Sequence, residues 1–149
     1  MVALVRPILL AVMLACLLAI PSSAEAASES RLMVAEINVV RSEYGLPAFR
    51  ASRSLNRSSA RYGRRIMRSG RFSHAARIRA SRLFRDLGEV LSLHRGWRAR
   101  IRRTVANWMR SPGHRAVLLS PRYRWLGSGR VRGRFGGARA TAWVVHVGR

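Results

Sequence analysis

Apolar residues recur at helical spacing through the first half of this chain. The first predicted helix runs from Leu32 to Tyr44, before Gly45, and its apolar face is expected to consist of Leu32, Ala35, Val39 or Val40, and Tyr44. The second runs from Ser54 to Ser69, before Gly70, with arginines on its outer face and an inner face made of Leu55, Ser59, Tyr62 and Ile66. From Ala75 to Leu87 the spacing is again helical, but weakly so.

A third helix is predicted from Arg98 to Arg110, where one face carries Ile101, Val105, Trp108 and Met109. It leads directly into Ser111-Pro112-Gly113-His114. Serine often caps a helix and proline suits the first helical position, so a further short helix is predicted with His114 in its first turn. Because the dipole at that end of a helix disfavours a cation, we expect the His114 imidazole to be neutral at neutral pH.

The remaining patterned segments are rich in residues typical of strands. Glu89-Val90-Leu91-Ser92-Leu93 follows a break at Gly88 and is short and strand-like. After Pro121, two longer segments, Trp125 to Val131 and Ala138 to Val147, are separated by a glycine-rich stretch. This arrangement predicts a C-terminal β-hairpin at the end of a single domain.

The first 26 residues have the pattern of an export signal. Arg6 precedes an apolar run from Ile8 to Ile20, and Ala24-Glu25-Ala26 forms a small-x-small cleavage site. The run is shorter than the roughly 18 apolar residues that a membrane-spanning helix needs. We therefore predict a signal peptide of residues 1–26 and a mature domain of residues 27–149 without a transmembrane segment. The only cysteine, Cys16, lies inside the run, so the chain can form no internal disulfide; a lipid anchor at Cys16 is an alternative, but the run continues beyond it.

The chain is strongly basic. It has 29 basic residues, all of them arginine, against six acidic ones, and its formal net charge is +23. Guanidinium groups are well suited to phosphate binding, but a general preference for arginine over lysine on a solvated surface would give the same composition, and the even scatter of arginine favours that interpretation. In either case the field of the protein attracts anionic envelope polymers and anionic lipid surfaces.

Three short polar stretches supply the candidate chemistry of the chain: Phe72-Ser73-His74, Gly88-Glu89, and residues 108–115, Trp-Met-Arg-Ser-Pro-Gly-His-Arg. If the fold brings His74, Glu89 and His114 together, they form a small polar site. Two simpler interpretations stay open, in which His74 hydrogen-bonds a backbone carbonyl and Glu89 pairs with a nearby arginine such as Arg85 or Arg95.

These stretches, in this order, resemble a bacterial domain of the CAP superfamily, also called SCP-like, which includes cysteine-rich secretory, antigen 5 and pathogenesis-related proteins. Further matching segments are Asn38-Val39-Val40-Arg41, Gly45-Leu46-Pro47-Ala48-Phe49, Gly127 and Trp143. The resemblance covers residues 31–148. It implies an α+β fold, an α-β-α sandwich, with His74, Glu89 and His114 in a cleft lined by two histidines and acidic residues.

The chain departs from the family pattern in two places. The family's Gly-Glu-Asn appears here as Gly88-Glu89-Val90, which removes a polar side chain from that loop. The second cleft glutamate of many members would come from the helix before Ser111, yet residues 98–110 contain no acid. The resemblance therefore implies a cleft with less negative charge than in fuller members.

Family members differ in what the cleft binds: in some the histidines hold a divalent metal such as zinc, and others bind sterols, lipids or partner proteins. Here no cofactor is expected to be required, and any zinc is expected to be held weakly by His74 and His114, with Glu89 as a further possible ligand. The other two histidines, His94 and His146, match no site position and are interpreted as structural. No catalytic residue is assigned, because the chain lacks a nucleophile elbow and an aspartate placed to orient a histidine.

The sequence thus predicts a secreted, extracellular or envelope-associated binding module without enzymatic activity. Its predicted partner is a lipid, an anionic cell-envelope polymer or another protein. Specific nucleic-acid binding is not expected, because Trp108 and Trp143 occupy core-facing positions and export separates the protein from the cell's nucleic acid. The alternative is a metal-dependent hydrolase that uses His74, Glu89 and His114.

Overall fold

The structure is a computed structural model that describes residues 23–98 and 100–149; the predicted signal run from Ile8 to Ile20 lies outside the described residues. The helices are α1 (Ser23–Glu43), α2 (Arg53–Ser69), α3 (Ile101–Arg110) and α4 (Pro112–Leu118). The strands are β1 (Arg50–Ala51), β2 (Leu87–Arg95), β3 (Trp125–Phe135) and β4 (Ala138–Gly148). They form one sheet in the order β1-β3-β4-β2, in which β1 is parallel to β3 and the other pairs are antiparallel.

The sheet is the middle one of three layers, as the alternation of side chains along β4 shows. Trp143, Val145 and Val147 lie in a core cluster with residues of α1, α3 and α4, whereas Val144 packs against Ile66 of α2. Successive side chains of a strand point to opposite faces of the sheet, so α2 covers one face and the other helices cover the opposite one. The predicted α+β fold, an α-β-α sandwich with a C-terminal hairpin, is confirmed. No helix in the described ranges is long and apolar enough to cross a membrane.

The first helix begins earlier than predicted and buries a different face. It starts at Ser23 rather than Leu32. Of the predicted apolar face, Leu32, Val39 and Tyr44 are 57%, 55% and 48% exposed. The buried residues are instead Ser30, Met33, Val34, Ile37 and Arg41. The helix carries two apolar stripes, and local spacing alone does not say which of them the rest of the protein covers.

Arg41 is fully buried, and backbone carbonyls accept hydrogen bonds from two of its three guanidinium nitrogens, whereas Nη2 has no hydrogen-bond partner among the described residues. Its Nε donates to the carbonyl of Pro47 at 2.8 Å, and its Nη1 donates to those of Leu118 and Ser120 at 2.7 and 3.1 Å. A buried charge is tolerated only when hydrogen bonds replace its hydration. Burial lowers the pKa of Arg41, with a smaller contribution from nearby Arg124.

The second helix matches its predicted face and its predicted end. Its buried residues are Leu55, Ser58, Ser59, Gly63 and Ile66. The chain reverses at Gly70, whose φ of +62° is the left-handed conformation that glycine adopts readily at a helix end. The hairpin is likewise confirmed, and it turns at Gly136 and Gly137, both with positive φ.

The weak helical pattern from Ala75 to Leu87 is not a helix; residues 70–86 form an irregular loop. Leu83 is 88% exposed and Ile78 and Phe84 are only partly buried, so no continuous apolar face is buried to stabilise a helix there. The loop is held by bonds at its far end: the Ser81 amide donates to Ser54 Oγ and the Arg85 amide donates to the Arg149 carbonyl, both at 2.9 Å.

The third and fourth helices follow one another as predicted, and the third ends at Arg110 as predicted. The third begins at Ile101 rather than Arg98, and the fourth begins at Pro112 directly after Ser111. Ser111 occupies the cap position, but its side chain makes no capping hydrogen bond, contrary to expectation. His114 lies in the first turn of α4, as predicted.

Candidate functional site

Glu89 is the centre of the candidate site. It lies on β2 directly opposite His146 of β4, and its side chain is only 5% exposed. Oε1 accepts the Ala75 backbone N–H at 2.8 Å and lies 2.9 Å from Nδ1 of His74. Oε2 lies 2.9 Å from Nε2 of His146. Both carboxylate oxygens are therefore occupied by donors.

The carboxylate of Glu89 is held in its ionised form. Burial alone would raise its pKa, but hydrogen bonds from His146, the Ala75 amide and His74 together outweigh burial and lower the pKa below its usual value. An ionised carboxylate only accepts hydrogen bonds. Nδ1 of His74 and Nε2 of His146 therefore both donate to it.

The sequence-predicted histidine His74 lies at the mouth of the site. It follows α2 in the irregular loop, where the Tyr62 hydroxyl anchors the backbone by donating to the Ser73 carbonyl at 2.7 Å. Its side chain is 63% exposed. Because Glu89 accepts from Nδ1, the ring keeps Nε2 available for an external group.

His114 reaches the same mouth from the first turn of α4. Its ring centroid lies 6.2 Å from that of His74, with the planes at 52°. The pKa of His114 is lowered by burial and, to a lesser extent, by His74. The pKa of His114 is therefore shifted in the direction that was predicted from the helix dipole, although burial is the largest cause of the shift. The structure thus brings His74, Glu89 and His114 together.

His146 lies beside Glu89 and is part of this cluster, which the sequence did not indicate, and its burial agrees with the structural role expected for it. It is 1% exposed, and its Nδ1 lies 2.9 Å from the hydroxyl of Ser58 on α2. Its backbone N–H donates to Ser59 Oγ at 3.2 Å. From the sequence, the alternation of side chains along β4 could have indicated that His146 faces α2. Its pairing with Glu89, however, depends on the strand register.

The alternative partners considered for these residues are not found. Glu89 contacts histidines and a backbone amide rather than Arg85 or Arg95. His94 forms hydrogen bonds with Ser92 Oγ at 3.0 Å and Thr104 Oγ1 at 3.1 Å, outside the cluster, in agreement with a structural role. Burial and the nearby Arg103 lower its pKa.

Ser58, His146 and Glu89 form a continuous hydrogen-bonded chain. The order hydroxyl, imidazole, carboxylate is that of a serine-hydrolase triad. Ser58, however, is 3% exposed in the middle of α2, where it packs between the helix and the sheet. The chain joins α2 to β4 and holds His146 against the carboxylate, which makes it part of the support of the site.

The two imidazoles at the mouth, those of His74 and His114, are the candidate donors for a metal ion, and a third ligand is not found among the described residues. Glu89 has no free oxygen, and α3 contributes no acid. No group of three histidine, cysteine or acidic side chains within the described part of the chain is placed to hold a metal. The third ligand considered from sequence, Glu89, orients His74 through a hydrogen bond instead. Val90, which replaces the family's asparagine, is fully buried in the core.

Comparison with known proteins places this architecture in a family. Residues 34–147 match the CAP family, described as the cysteine-rich secretory protein family. No curated protein sequence is significantly similar to the chain.

Solved structures have the same fold at low sequence identity. An outer surface protein of Borrelia burgdorferi is 17% identical with a TM-score of 0.65, and the match covers 80% of this chain and 90% of that one. An extracellular SCP-domain protein of Bacillus anthracis is 18% identical with a TM-score of 0.64 over 84% of this chain and 41% of that longer one. Venom allergen-like protein 4 of Schistosoma mansoni is 10% identical with a TM-score of 0.64, over 80% of this chain and 86% of that one.

Proposed function

Because this chain belongs to the CAP, or cysteine-rich secretory protein, family, we propose that it is an exported binding module that acts outside the cytoplasmic membrane on an anionic envelope component. Two of the similar structures are named as an outer surface and an extracellular protein. The export pattern of residues 1–26 supports the same location for this chain.

The state of Glu89 supports binding rather than hydrolysis. Hydrolysis of a glycan by carboxylates needs one acid as proton donor and a second as base or nucleophile. Here one carboxylate is present in the cluster, and both of its oxygens accept hydrogen bonds from neighbouring groups. The cluster can therefore orient histidines and bind, but it lacks the second acid that this chemistry requires.

The observation that carries the proposal is the large excess of exposed arginine over available acid. Glu29, Glu36 and Asp86 lie within ion-pair distance of arginines, and the carboxylate of Glu89 is hydrogen-bonded to histidines. With 29 arginines and six acids in the sequence, most guanidinium groups have no carboxylate to pair with. Their hydrogen-bonding capacity is free for phosphate or carboxylate groups of a ligand.

Binding to anionic surfaces should be strong at low salt and weak at high salt. Each arginine near an anionic membrane contributes about 1 kcal/mol, so three such contacts correspond to a gain of about 100-fold. The Debye length falls from about 10 Å at 0.1 M salt to about 3 Å at 1 M. Co-sedimentation with vesicles of phosphatidylcholine containing phosphatidylglycerol should show at least a tenfold loss of binding between these salt concentrations. Neutral vesicles are the control, and binding that is unchanged in molar salt would contradict the proposal.

The distance between His74 and His114 supports a second activity, weak zinc binding. Tetrahedral zinc bound at about 2.0–2.1 Å from two imidazole nitrogens places the ring centroids roughly 5 Å apart. The 6.2 Å found here would therefore have to shorten by about 1 Å, through rotation of the largely exposed His74 side chain. When bound, zinc would polarise an oxygen of a ligand. With two protein ligands and no free carboxylate, the residues do not support a metal-dependent hydrolase.

Replacing both His74 and His114 by alanine should abolish zinc uptake without unfolding the protein. Both side chains lie at the mouth of the site, His74 is largely exposed, and their loss leaves Glu89 bound to His146 and the Ala75 amide. Calorimetric titration with zinc at pH 7.5, with circular dichroism on the same samples, measures both effects. Binding should weaken as the pH falls, because protonated imidazole cannot coordinate.

The matched control is His94→Ala, which removes a histidine outside the cluster and should leave zinc uptake unchanged. Undiminished zinc uptake by the double variant would exclude the histidine pair as the metal site. Unfolding of the double variant would show that the pair is structural.

A further inference from the structure

A strongly charged concave surface lies beside the histidine cluster, between α2 and the loop after it. Two cavities of about 280 and 760 Å³ adjoin there. They share lining residues from both walls, including Tyr62 and Arg65 of α2 and Ala75 and Arg77 of the loop. They therefore form one groove, which we name the arginine cleft. The larger of the two cavities lies within the range of ligand-binding pockets, about 300 to 1,000 Å³.

Six arginines line this cleft. Three project from one face of α2 at spacings of four and three residues, and three come from the loop: Arg61, Arg65, Arg68, Arg71, Arg77 and Arg79. None of the six lies within ion-pair distance of a carboxylate in the described residues. The closest acid along the chain, Asp86, pairs with Arg122 instead.

This concentration of like charge has a physical consequence. Walls of one sign around a concave surface focus the field and raise the local concentration of counter-ions. Planar guanidinium groups bind phosphate oxygens bidentately. The cleft therefore favours a ligand with one or more phosphate groups over a merely polar one.

The cleft also has an apolar part, which we call its floor, and this part distinguishes it from an ordinary solvated arginine surface. The floor consists of Tyr62, Ile78, two alanines and Phe72, which is 44% exposed, whereas the buried Ser58 and His146 are polar parts of the same lining. The Tyr62 hydroxyl donates a hydrogen bond to the Ser73 carbonyl, so the ring of Tyr62 remains as an apolar contact surface. A ligand that covers this floor needs a hydrocarbon part beside its phosphate.

From these features we infer that the arginine cleft is the specific ligand site of the protein and takes an amphiphilic phosphate ester. Phosphate oxygens bind the arginines of α2 and the loop, and the hydrocarbon lies against Tyr62, Ile78 and Phe72. This inference rests on the proposed binding function, since it names the place and the ligand class. A membrane lipid and a soluble lipid-linked phosphate share this chemistry.

A soluble probe separates binding in the cleft from adhesion to a charged surface. Dihexanoyl phosphatidic acid below its micelle concentration carries a phosphomonoester and two short tails, whereas inorganic phosphate lacks the tails and dihexanoyl phosphatidylcholine has a zwitterionic head. Calorimetry on the mature protein should show binding of the phosphatidic acid at least tenfold tighter than that of either of the other two compounds. Equal affinity for inorganic phosphate would contradict the apolar part of the inference.

Two triple variants on the same helix test the position of the site. The cleft variant carries Arg61→Gln, Arg65→Gln and Arg68→Gln; the matched control carries Arg53→Gln, Arg57→Gln and Arg64→Gln, which are exposed residues of α2 outside the cavities. Both lose three charges and keep a good helix former. The cleft variant should lose at least tenfold in affinity for the phosphatidic acid, and the control should stay within about twofold of the parent protein.

A second pair of variants tests the hydrocarbon contact. Phe72→Ala should weaken phosphatidic acid binding severalfold while leaving binding of inorganic phosphate unchanged. Leu83→Ala is the control, because Leu83 is an exposed apolar residue of the same loop that does not line the cleft. Equal effects of the two substitutions would contradict the assigned floor.

The outcomes distinguish this inference from the proposed function. If both triple variants weaken binding equally, or if the parent protein binds anionic vesicles but not the soluble probe, the cleft assignment is wrong and general adhesion to anionic surfaces stands. If the parent protein binds neither, both proposals fail. Retention of circular dichroism by each variant excludes unfolding as the cause of a loss.

Discussion

Replacing Glu89 by alanine is expected to destabilise the protein by about 3–5 kcal/mol, as does removal of one partner from a buried charged pair. The change leaves the Ala75 amide and two imidazole N–H groups without their acceptor, and His146 is almost fully buried. Each unsatisfied buried donor costs about 1–3 kcal/mol. Urea unfolding at pH 7, followed by tryptophan fluorescence, measures the loss.

Asp86→Asn is the matched control, because it removes an acid from the same region that is partly exposed and pairs with a surface arginine. Such pairs contribute about 0–1 kcal/mol, and a small change is expected. Glu89→Gln should lie between the two, since its amide oxygen can still accept the Ala75 N–H. A Glu89→Ala loss no larger than that of Asp86→Asn would show that the cluster is not a structural centre.

The lowered pKa of Glu89 gives this stabilisation a defined pH dependence. The folded protein favours the ionised carboxylate, so the contribution is fully present above the carboxyl's ordinary pKa and is lost as the pH falls through the lowered value. The difference in unfolding free energy between the parent protein and Glu89→Ala should therefore shrink as the pH falls through that lowered value, whereas the difference for Asp86→Asn should stay small throughout.

Gly127→Ala is expected to destabilise the protein by about 3 kcal/mol, at the upper end of the range for overpacking a core. A Cβ at position 127 would lie 2.2 Å from the Asn56 amide nitrogen and the Leu55 carbonyl carbon. These are backbone atoms of α2, so no side-chain rotation can relieve the contact. The helix would have to move away from β3, which would also disturb the Ser59 hydroxyl that donates to the Gly127 carbonyl at 3.0 Å.

Gly113→Ala makes the same chemical change where a Cβ has no neighbour within 4 Å. It lies in α4, where alanine is the better helix former by up to about 1 kcal/mol, so stability should be unchanged or slightly higher. Thermal unfolding of the two variants beside the parent protein tests the contrast. Equal melting temperatures for the two variants would mean that α2 does not sit on β3 as closely as the structure has it.

The candidate site was predictable from sequence where a local pattern placed a residue beside a chain reversal. His74 follows the glycine that ends α2, and His114 opens the helix that begins at Pro112. Glu89 lies just after the glycine at the start of β2. The family resemblance supplied the expectation that they meet, because spacing along the chain contains no information on distances between elements.

His146 was missed because its role depends on long-range pairing. Its neighbours along the chain are valines, which identify a buried strand but not a functional residue. Only the register of β4 against β2 sets it opposite Glu89, and only the packing of α2 on the sheet adds the hydroxyl of Ser58.

The sequence by itself determined the helices, the hairpin and the strong positive charge, because capping glycines, proline positions and apolar periodicity act over a few residues. The tertiary structure decided the features that these local patterns leave undetermined. It selected the Met33 and Ile37 stripe of α1 over the Leu32 and Val39 stripe, and it left residues 70–86 without a helix. It also gathered six arginines from α2 and the loop into one cleft, since concave surfaces arise from the packing of separate elements rather than from any one of them.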